Sequence, residues 1–401
     1  MQQLSPTEAA LVAAIDPAPM PAQVEAWSAI NSGTRNLAGL KKQAEALAEA
    51  FSSLPGSLEL VDPTPVEAVD ASGSVQPLAH GRHLVLRVRP QADRRILLTG
   101  HMDTVFAADH AFQTQRWIDP ETLNGPGVAD MKGGLAVILA ALTAFERSPA
   151  AAGLGYDVLI NSDEETGSLS SASLIALLAQ GKAAALTYEP SALPDGTLAG
   201  ARGGSGNFSA VVTGRSAHAG RNPGWGRNAI VAAADLALRL KAMESASLSI
   251  NPARIEGGSA NNVVPDHAIV RFNIRPRETV DAERFDHAIY GVCREVELEH
   301  EVGVRLHGGI TRPPKPLTRE AESLFELVRD CAAALGQSIA WQTSGGVCDG
   351  NNIAACGVPV VDTMGVRGGA IHSDEEYLIV PSLTERAAIS VAVLHRLAGG
   401  E

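Results

Sequence analysis

The stretch RILLTGHMD, residues 95–103, joins a strand pattern to two chemically active side chains. Its first part is apolar on both faces, which is typical of a central strand that helices cover from both sides. His101 and Asp103 follow at the point where this strand is expected to end. In an open α/β sheet, ligands bind outside the carboxyl ends of the strands. The stretch therefore predicts a buried parallel sheet and also the edge at which its site lies.

Strand and helix patterns alternate along the chain around this stretch. Three other runs are rich in β-branched and aliphatic residues, as strands are: HLVLRV (83–88), YDVLINS (156–162) and AAALTY (183–188). Helical patterns occupy residues 133–145, 170–179 and 381–398. Strands that alternate with helices predict the α/β fold class, here a mostly parallel sheet that helices cover on both faces.

The pattern changes near Gly200. Strands that alternate between apolar and polar residues follow, such as HAIVRFNIRP (267–276), and two helical runs cover residues 228–243 and 281–295. The proline-rich segment TRPPKP (311–316) is typical of a stiff exit. We therefore predict a discontinuous main domain, residues 1–202 and 313–401, with a smaller α+β domain inserted at residues 203–312.

The composition disfavours several classes of protein. The formal net charge is −13 and no block of Lys or Arg occurs, so neither nucleic acid nor an anionic membrane surface is an expected partner. No apolar stretch is expected to approach the ~18 residues of a membrane span, and the first residues lack the basic start of a secretory signal. The four cysteines form no C-x-x-C pair. We expect a cytoplasmic protein with a small-molecule substrate.

Several polar residues directly follow predicted strands or lie in glycine-rich segments. The set contains two imidazoles and several carboxylates: His101, Asp103, Asp130, Glu164, Glu165, Glu189 and His372. Because the carboxyl ends of parallel strands meet at one edge, we expect these side chains to converge in one crevice. Imidazole and carboxylate oxygen are ligands of divalent metals, zinc in particular. The set therefore predicts a metal site.

Each member of the set also has an ordinary structural explanation. A single His is most often a satisfied surface or core residue. The segment NGPGVADMKGG (124–134) does not match the phosphate loop G-x-x-x-x-G-K-[ST], and such a segment is more often only a turn and a helix start. The acidic turn SDEETGS (162–168) crowds three carboxylates, which is usual in a solvated turn. The occurrence of five such segments at strand ends of one chain favours the metal site.

Together the segments resemble the signature segments of a known enzyme family. The family is that of the di-zinc metallopeptidases that include carboxypeptidase G-type glutamate carboxypeptidases, acetylornithine deacetylase and succinyl-diaminopimelate desuccinylase. The resemblance extends from about residue 27 to the C-terminus, in the family's order. It implies a catalytic main domain and an inserted dimerisation or lid domain. The matching segments are GHMDTV (100–105), NGPGVADMKGG, SDEETGS, YEPS (188–191) and IHSDEEY (371–377).

The resemblance implies two zinc ions per chain, with cobalt or manganese as alternatives. It implies that Asp130 bridges the two ions. His101 and Glu189 would complete one site, and Glu165 and His372 would complete the other. A pair of such ions can hold a nucleophilic water and polarise the carbonyl group that is attacked.

Two further residues of these segments receive roles that are not ligation. The resemblance implies that Asp103 holds the imidazole of His101 through a hydrogen bond that selects its tautomer. It implies that Glu164 is the general base, which takes a proton from the metal-bridging water and passes it to the leaving amine. Adjacent residues of an extended stretch point to opposite sides, so Glu164 and Glu165 can perform different tasks.

In the inserted segment, the resemblance implies roles for three residues. His218 of GRSAHAG (214–220) matches an oxyanion stabiliser that reaches the active site of the partner subunit in a homodimer. Asn262 of NNVVP and Arg275 of FNIRP match positions that hold the carboxylate of the substrate. Taken alone, His218 would be a turn cap, and Arg275 would pair with surface acids.

Arg312 is a weaker second candidate for carboxylate binding. Cys348 lies where a threonine is common, and it either shapes substrate choice, makes the site sensitive to oxidation or is a passive small residue.

The residue at position 189 bears on the reaction. In this family a Glu there accompanies carboxypeptidases and deacylases, whereas an Asp accompanies aminopeptidases. We therefore predict hydrolysis of an amide bond next to a free carboxylate, in an N-acyl amino acid or a short peptide with an acidic C-terminal residue. The alternatives are an N-acetyl or N-succinyl amino acid deacylase, a dipeptidase, and a catalytically silent metal-binding dimeric scaffold. The presence of Glu164 beside every ligand disfavours the scaffold.

Overall fold

The computed structural model describes residues 3–400 of the chain. The predicted helices at 133–145, 170–179 and 381–398 are confirmed to within two residues at each end. The α-helices of the described residues, labelled α1 to α10 in chain order, are Pro6–Ala13, Pro19–Ser28, Leu37–Phe51, Gly134–Phe145, Ala172–Ala179, Ala229–Ala242, Thr279–His300, Arg319–Ala334, Asp349–Ala355 and Pro381–Leu397.

Within residues 3–400 the strands form one sheet of six strands, two sheets of four strands and three sheets of two strands, and the six-stranded sheet and one four-stranded sheet are the main ones. In chain order, strands β1 to β20 are Ser57–Val61, Val66–Val69, Val75–Leu78, His83–Val88, Arg94–His101, Arg116–Asp119, Thr122–Asn124, Leu154–Asn161, Ala184–Thr187, Leu198–Arg202, Ser205–Thr213, Ala217–His218, Leu248–Gly257, Val263–Val264, His267–Pro276, Gly303–Arg312, Trp341–Ser344, Val360–Val361, Gly368–Gly369 and Tyr377–Ile379.

The larger sheet has six strands in the order β1-β4-β8-β5-β9-β18. Strands β8, β5, β9 and β18 are parallel to one another, whereas β4 is antiparallel to both β1 and β8. The sheet is therefore mixed, and the predicted mostly parallel sheet is confirmed only for the half that contains β5. The run HLVLRV is a buried strand as predicted, but its residue pattern reports burial and not strand direction.

Helices cover this sheet on both faces, as the apolar pattern of residues 95–100 predicts. Ile96 and Leu98 of β5 lie in the main hydrophobic core, to which helices α4 and α10 also contribute. Leu97 points to the other face, where it belongs to a cluster with Ile175 of α5 and Ile353 of α9. Successive side chains of a strand point to opposite faces, so β5 is buried from both sides.

The second main sheet has four strands in the order β13-β15-β11-β16, and all neighbouring strands are antiparallel. Helices α6 and α7 pack on one face and share a separate hydrophobic core with it. Within this core the rings of Phe208 and Phe272 stack at 5.1 Å, and the ring of Phe285 meets that of Phe208 at 5.5 Å. The alternating strands and two helices predicted in residues 203–312 are thus present, while the division of the chain into domains stays a prediction.

Among the described residues, one helical segment is long and apolar enough to cross a membrane by length and composition, namely Val128–Phe145. From the sequence we expected no segment of this length and apolar composition, and that expectation was wrong for this segment. This segment contains Asp130 and Lys132, and 89% of it is buried inside the protein. Its apolar side chains therefore serve the packing of the core.

The aromatic cluster of the second sheet generates a prediction about stability. Phe285 is 1% exposed, so Phe285→Ala leaves a cavity among Phe208, Phe272 and α6. We expect the free energy of unfolding to fall by about 3 to 5 kcal/mol, as is typical of buried Phe to Ala changes. Urea denaturation followed by circular dichroism measures this change.

The matched control is Tyr290→Ala on the same helix, because the Tyr290 side chain is 63% exposed. This control should shift the urea midpoint little, since surface substitutions usually change stability by less than about 0.5 kcal/mol. Equal shifts in the two variants would contradict the assignment of Phe285 to a separate core.

Candidate metal centre

Three neighbouring parallel strands of the mixed sheet end at one edge. His101 is the last residue of β5, and it lies in register with Asn161, the last residue of β8. Glu164 and Glu165 follow β8 in a short 3-10 turn, and Glu189 follows β9. The side chains that were predicted to converge from these strand ends therefore do so.

Asp130 lies between two imidazole rings. Its Oδ1 atom is 3.0 Å from Nε2 of His101, and its Oδ2 atom is 3.3 Å from Nε2 of His372. Asp130 belongs to the irregular helical segment that precedes α4, whereas His372 lies in the loop between β19 and β20. A carboxylate that offers one oxygen toward each imidazole has the arrangement that a ligand bridging two ions needs.

The remaining two predicted ligands each lie beside one of these rings. Oε2 of Glu189 is 3.6 Å from Nε2 of His101, and Oε2 of Glu165 is 3.2 Å from Nε2 of His372. The pairing of His101 with Glu189 and of His372 with Glu165 is the pairing that the resemblance implies. The role of all five residues as ligands stays a prediction.

The donor atoms fit a divalent metal. Ligand atoms of His101, Asp130 and Glu165 all lie within 4.8 Å of one another, and the same holds for His101, Glu164 and Glu189. One imidazole nitrogen with two carboxylate oxygens is a donor set that suits zinc. The second group includes Glu164, so the distances alone allow this residue to act as a ligand or as a base.

Burial and mutual repulsion shift the pKa values of the cluster. Burial, with the charge of Asp130 added, raises the pKa of Glu165 to about 7. Burial also raises the pKa of Glu164 and of Glu189. Burial opposes protonation of His101, but the carboxylates of Glu189, Asp103 and Asp130 outweigh it and hold the pKa of this imidazole well above its usual value. A bound cation would favour the charged forms of these carboxyl groups, so the cluster suits a site for cations.

Asp103 is fully buried, and its carboxylate holds the acidic turn. The backbone N–H groups of Glu164 and Glu165 donate to Oδ1 and Oδ2 of Asp103, each at 3.2 Å, and the hydroxyl of Thr34 donates to Oδ2 at 2.7 Å. Nδ1 of His101 lies 3.1 Å from the backbone carbonyl oxygen of Asp103 and 3.4 Å from Oδ1. The predicted contact of Asp103 with His101 therefore runs mainly through the backbone, and the sequence did not indicate the contacts with the turn.

Arg312 is 2% exposed and contacts the acidic turn directly. Its Nη2 atom donates to Oε1 of Glu164 at 2.7 Å, and its Nη1 atom donates to Oδ1 of Asp349 at 2.5 Å. Arg312 was considered as a second residue for binding the substrate carboxylate. Its guanidinium group pairs with these two carboxylates and also lines the candidate cavity, and its role in binding the substrate carboxylate stays a prediction.

Sequence reasoning missed the role of Glu376. This residue is 1% exposed, and its carboxylate accepts hydrogen bonds from the backbone N–H groups of Gly127, Ala129 and Asp130 at 3.1, 3.0 and 3.0 Å. It thereby fixes the loop that presents Asp130. The available signal was its position in IHSDEEY, the segment that also contains His372.

A cavity of about 490 Å³ is lined by Asp130, Glu164, Glu165, Glu189 and His372. Arg275 of β15 lines this cavity, as does the buried side chain of Cys348, whose Sγ atom lies 3.6 Å from Oδ2 of Asp362. Arg202 also lines it and pairs with the same Asp362 at 2.7 Å. The structure therefore brings Arg275 to the candidate site of its own chain. Burial raises the pKa of the Cys348 thiol well above its usual value, which disfavours a reactive thiolate.

The structure does not bring His218 and Asn262 to this cavity. Both side chains are exposed, and they lie close to each other because the backbone N–H of Ala219 donates to the carbonyl oxygen of Asn262 at 2.9 Å. Nδ1 of His218 faces the backbone N–H groups of Gly220 and Arg221, each at 3.1 Å. The predicted contribution of His218 to the site of a partner subunit stays a prediction.

Comparison with known proteins places this geometry in a family. The sequence model of Peptidase family M20/M25/M40 matches residues 97–396. Carboxypeptidase G2 of Pseudomonas sp. strain RS-16 is 28% identical over 365 residues, which cover 89% of this chain and 86% of that protein. Succinyl-diaminopimelate desuccinylase of Rhodospirillum centenum is 31% identical over 331 residues, which cover 75% of this chain and 81% of that protein.

Solved structures agree on the fold. A tripeptidase from Staphylococcus aureus superposes with a TM-score of 0.74 at 22% identity, over 96% of this chain and 100% of that one. Bacillus subtilis YXEP, described as a dinuclear metal binding peptidase from the M20 family, superposes with a TM-score of 0.60 at 14% identity, over 94% of this chain and 99% of that one. The chain belongs to peptidase family M20/M25/M40, a family of metal-dependent hydrolases that act on amide bonds.

Proposed function

We propose that this protein hydrolyses an amide bond next to a free carboxylate, in an N-acyl amino acid or a short peptide with an acidic C-terminal residue. One observation supports this most directly. Asp130, Glu165, Glu189, His372 and Arg275 line one cavity, and His101 lies directly behind it in contact with Asp130. Such a cavity can hold a carboxylate while the neighbouring amide lies at the metal centre.

We propose that two zinc ions bind per chain, with cobalt or manganese as alternatives. Asp130 would bridge them, His101 and Glu189 would complete one site, and Glu165 and His372 the other. The two oxygens of Asp130, each directed at a different imidazole, support this count, as does the dinuclear description of the Bacillus subtilis protein. When bound, such ions polarise the carbonyl group and lower the pKa of a bound water to about 7.

Glu164 would be the general base of this reaction. Its carboxylate lies in the cavity beside His101 and Glu189, and the buried guanidinium group of Arg312 holds it there at 2.7 Å. In the proposed reaction Glu164 takes a proton from the attacking water and passes it to the nitrogen of the leaving amine. Asp103 would keep Glu164 and Glu165 in place through their backbone N–H groups.

Arg275 would bind the carboxylate of the substrate. A guanidinium group can form two parallel hydrogen bonds with a carboxylate, which gives both attraction and orientation. Within the described residues, the side chain of Arg275 makes one hydrogen bond, in which Nε donates to Oδ1 of Asn273 at 2.9 Å. Its two Nη atoms therefore have no partner among these residues. Asn262 is proposed as its partner in carboxylate binding, through the homodimer described next.

We also propose that residues 203–312 form an inserted domain that mediates homodimerisation or closes over the site. Residues 1–202 and 313–401 would form the catalytic domain. The separate core of the four-stranded sheet with α6 and α7 supports this division. In the dimer, His218 would reach the site of the other subunit and stabilise the oxyanion. A cytoplasmic location is part of the same proposal.

The second candidate function is that of an N-acetyl or N-succinyl amino acid deacylase. The observation that favours it is the 31% identity to a succinyl-diaminopimelate desuccinylase. A dipeptidase uses the same chemistry and is a further alternative. A catalytically silent metal-binding scaffold is the alternative of another class, and the presence of Glu164 in the cavity disfavours it.

The function itself can be tested with a panel of amides and one variant. With zinc added, the wild-type protein should hydrolyse N-acyl glutamates. Glu164→Gln should lower kcat by about 10² to 10⁴ or more, because the base is lost while size and hydrogen bonding are kept. Amino acid analysis of the products measures turnover, and plasma mass spectrometry measures the metal content.

The metal content separates the roles of the two glutamates. We expect Glu164→Gln to keep two metal ions per chain and the matched variant Glu165→Gln to lose one. The reverse result would show that the two roles are exchanged. No turnover of any amide by wild-type protein with bound metal would favour the silent scaffold.

The contacts of Asp103 generate a prediction about metal binding. Asp103→Ala removes the acceptor for the N–H groups of Glu164 and Glu165 and for the Thr34 hydroxyl. Because loss of residues that orient ligands typically costs about 10- to 100-fold in metal affinity, we expect a decrease of that size. Competition with a zinc-binding dye measures the affinity. The control Asp109→Ala, which changes an exposed carboxylate nearby, should leave it unchanged; equal losses would contradict the role of Asp103.

Arg275 can be tested with a pair of substrates. Arg275→Ala should raise KM about tenfold to a hundredfold for an N-acyl amino acid, because a charge-assisted hydrogen bond contributes about 1.5 to 3 kcal/mol. The corresponding α-carboxamide should show no such change. The control is Arg277→Ala, an exposed arginine that follows the same strand. An unchanged KM for the carboxylate substrate would remove Arg275 from the site.

A further inference from the structure

A second cavity, of about 710 Å³, adjoins the cavity of the metal centre. The two cavities share three lining residues, Thr166, Asn207 and Thr311. Thr166 directly follows Glu165, and Thr311 directly precedes Arg312. The second cavity therefore begins beside the groups that are proposed to cleave the amide.

The face of the β13-β15-β11-β16 sheet that α6 and α7 do not cover runs through both cavities. Alternate residues of a strand share a face, and on β15 the side chain of Arg275 lines the first cavity while Asn273 and Arg271 line the second. On β11, Asn207 lies opposite Asn273 and Ser209 lies opposite Arg271. The two cavities thus form one groove along this face, with Arg275 in the part next to the metal centre.

The hairpin formed by β2 and β3 supplies the opposite wall of the second cavity. Four of its lining side chains are small and apolar, namely Val66, Ala68, Val69 and Val75, and the fifth is Glu67. Nη2 of Arg271 donates to the carbonyl oxygens of Val69 and Asp70, each at 3.1 Å, which fixes the hairpin over the sheet. An apolar wall of this kind favours hydrocarbon or aromatic groups.

Among the described residues that line the second cavity, Arg271 is the one arginine or lysine, and its guanidinium group is committed to other contacts. Nε of Arg271 pairs with Glu256 at 2.6 Å, and Nη1 of Arg271 donates to Ser209 at 3.0 Å. Together with the two bonds to the hairpin, these contacts occupy the guanidinium group of Arg271. The imidazole of His307 also lines the cavity, and its Nε2 atom has no hydrogen-bond partner in the described part of the chain, so it can offer one hydrogen bond to a polar atom of a neutral acyl group. The exposed carboxylate of Glu67 also lines the cavity. A negatively charged acyl group would therefore be repelled there, whereas a neutral one would not.

We infer that the second cavity binds the acyl part of the substrate, and that this part is large, neutral and mainly apolar. The inference rests on the proposed function, and it narrows the substrate class within it. With the carboxylate at Arg275 and the amide at the metal centre, the acyl group extends past Thr166 and Thr311 under the hairpin. An N-succinyl group, which has a second carboxylate on the acyl side, does not suit this cavity.

Three substrates that share glutamate test this inference: N-octanoyl-, N-acetyl- and N-succinyl-L-glutamate. We expect kcat/KM of the zinc-loaded wild-type protein for the octanoyl compound to exceed that for each of the others by at least about tenfold, since each methylene group bound in an apolar pocket adds severalfold. Release of glutamate measures all three. Equal values, or a preference for the succinyl compound, would overturn the inference while leaving the proposed function intact.

Variants of residues that line the second cavity test whether the acyl group binds there. Ala68→Trp fills the second cavity from the hairpin, so it should lower the ratio of octanoyl to acetyl turnover by at least about tenfold. Ala253→Trp, which fills the cavity from the sheet, should do the same and guards against a folding defect of the hairpin variant. The control Ala71→Trp makes the same change in the exposed turn of the hairpin and should keep the ratio. An unchanged ratio in both cavity variants would overturn the inference, and no turnover of any of the three substrates would contradict the proposed function itself.

Discussion

The burial of several carboxylates within one small volume is the constraint on which the site depends. Glu164, Glu165 and Glu189 lie in the cavity, where burial and the charges of neighbouring carboxylates penalise their charged forms. Burial also penalises the charged form of Asp130, but the imidazoles of His101 and His372 outweigh it and hold the pKa of Asp130 below its usual value. The imidazoles and Arg312 offset part of this repulsion. A pair of dications would offset the remaining repulsion, which would explain how several carboxylates can share one small cavity.

Holding such a cluster together requires that its loops be fixed by groups other than the ions. Two buried carboxylates do this through the backbone. Asp103 accepts hydrogen bonds from the N–H groups of the acidic turn, and Glu376 accepts them from the loop that presents Asp130. Because each carboxylate binds backbone N–H groups, each loop keeps its shape while its own side chains remain available for ligation or proton transfer.

The parts of the site that could be predicted from the sequence are those that follow from local pattern. His101 is the last residue of the buried strand β5, and Glu189 lies two residues after the buried strand β9, so their convergence at one edge follows from the parallel pairing of these strands. The contacts of Arg312 with Glu164 and of Glu376 with Asp130 join residues 148 and 246 positions apart, and no local pattern reports such pairs. The reversed direction of β4 was missed for a related reason, since strand direction depends on the neighbour and not on the strand's own residues.

The two main sheets contribute different side chains to the groove. The mixed sheet presents the groups that suit amide hydrolysis, whereas the antiparallel sheet presents a row of polar side chains that runs past them. On that row Arg271 and Arg275 share one face of β15. Arg271 is paired with Glu256 and with the hairpin. The Nη atoms of Arg275, in contrast, have no hydrogen-bond partner among the described residues. A carboxylate is therefore attracted to only one part of the groove. Because this difference arises from the hairpin and Glu256, the choice of substrate in the proposed reaction would depend on residues outside the metal centre.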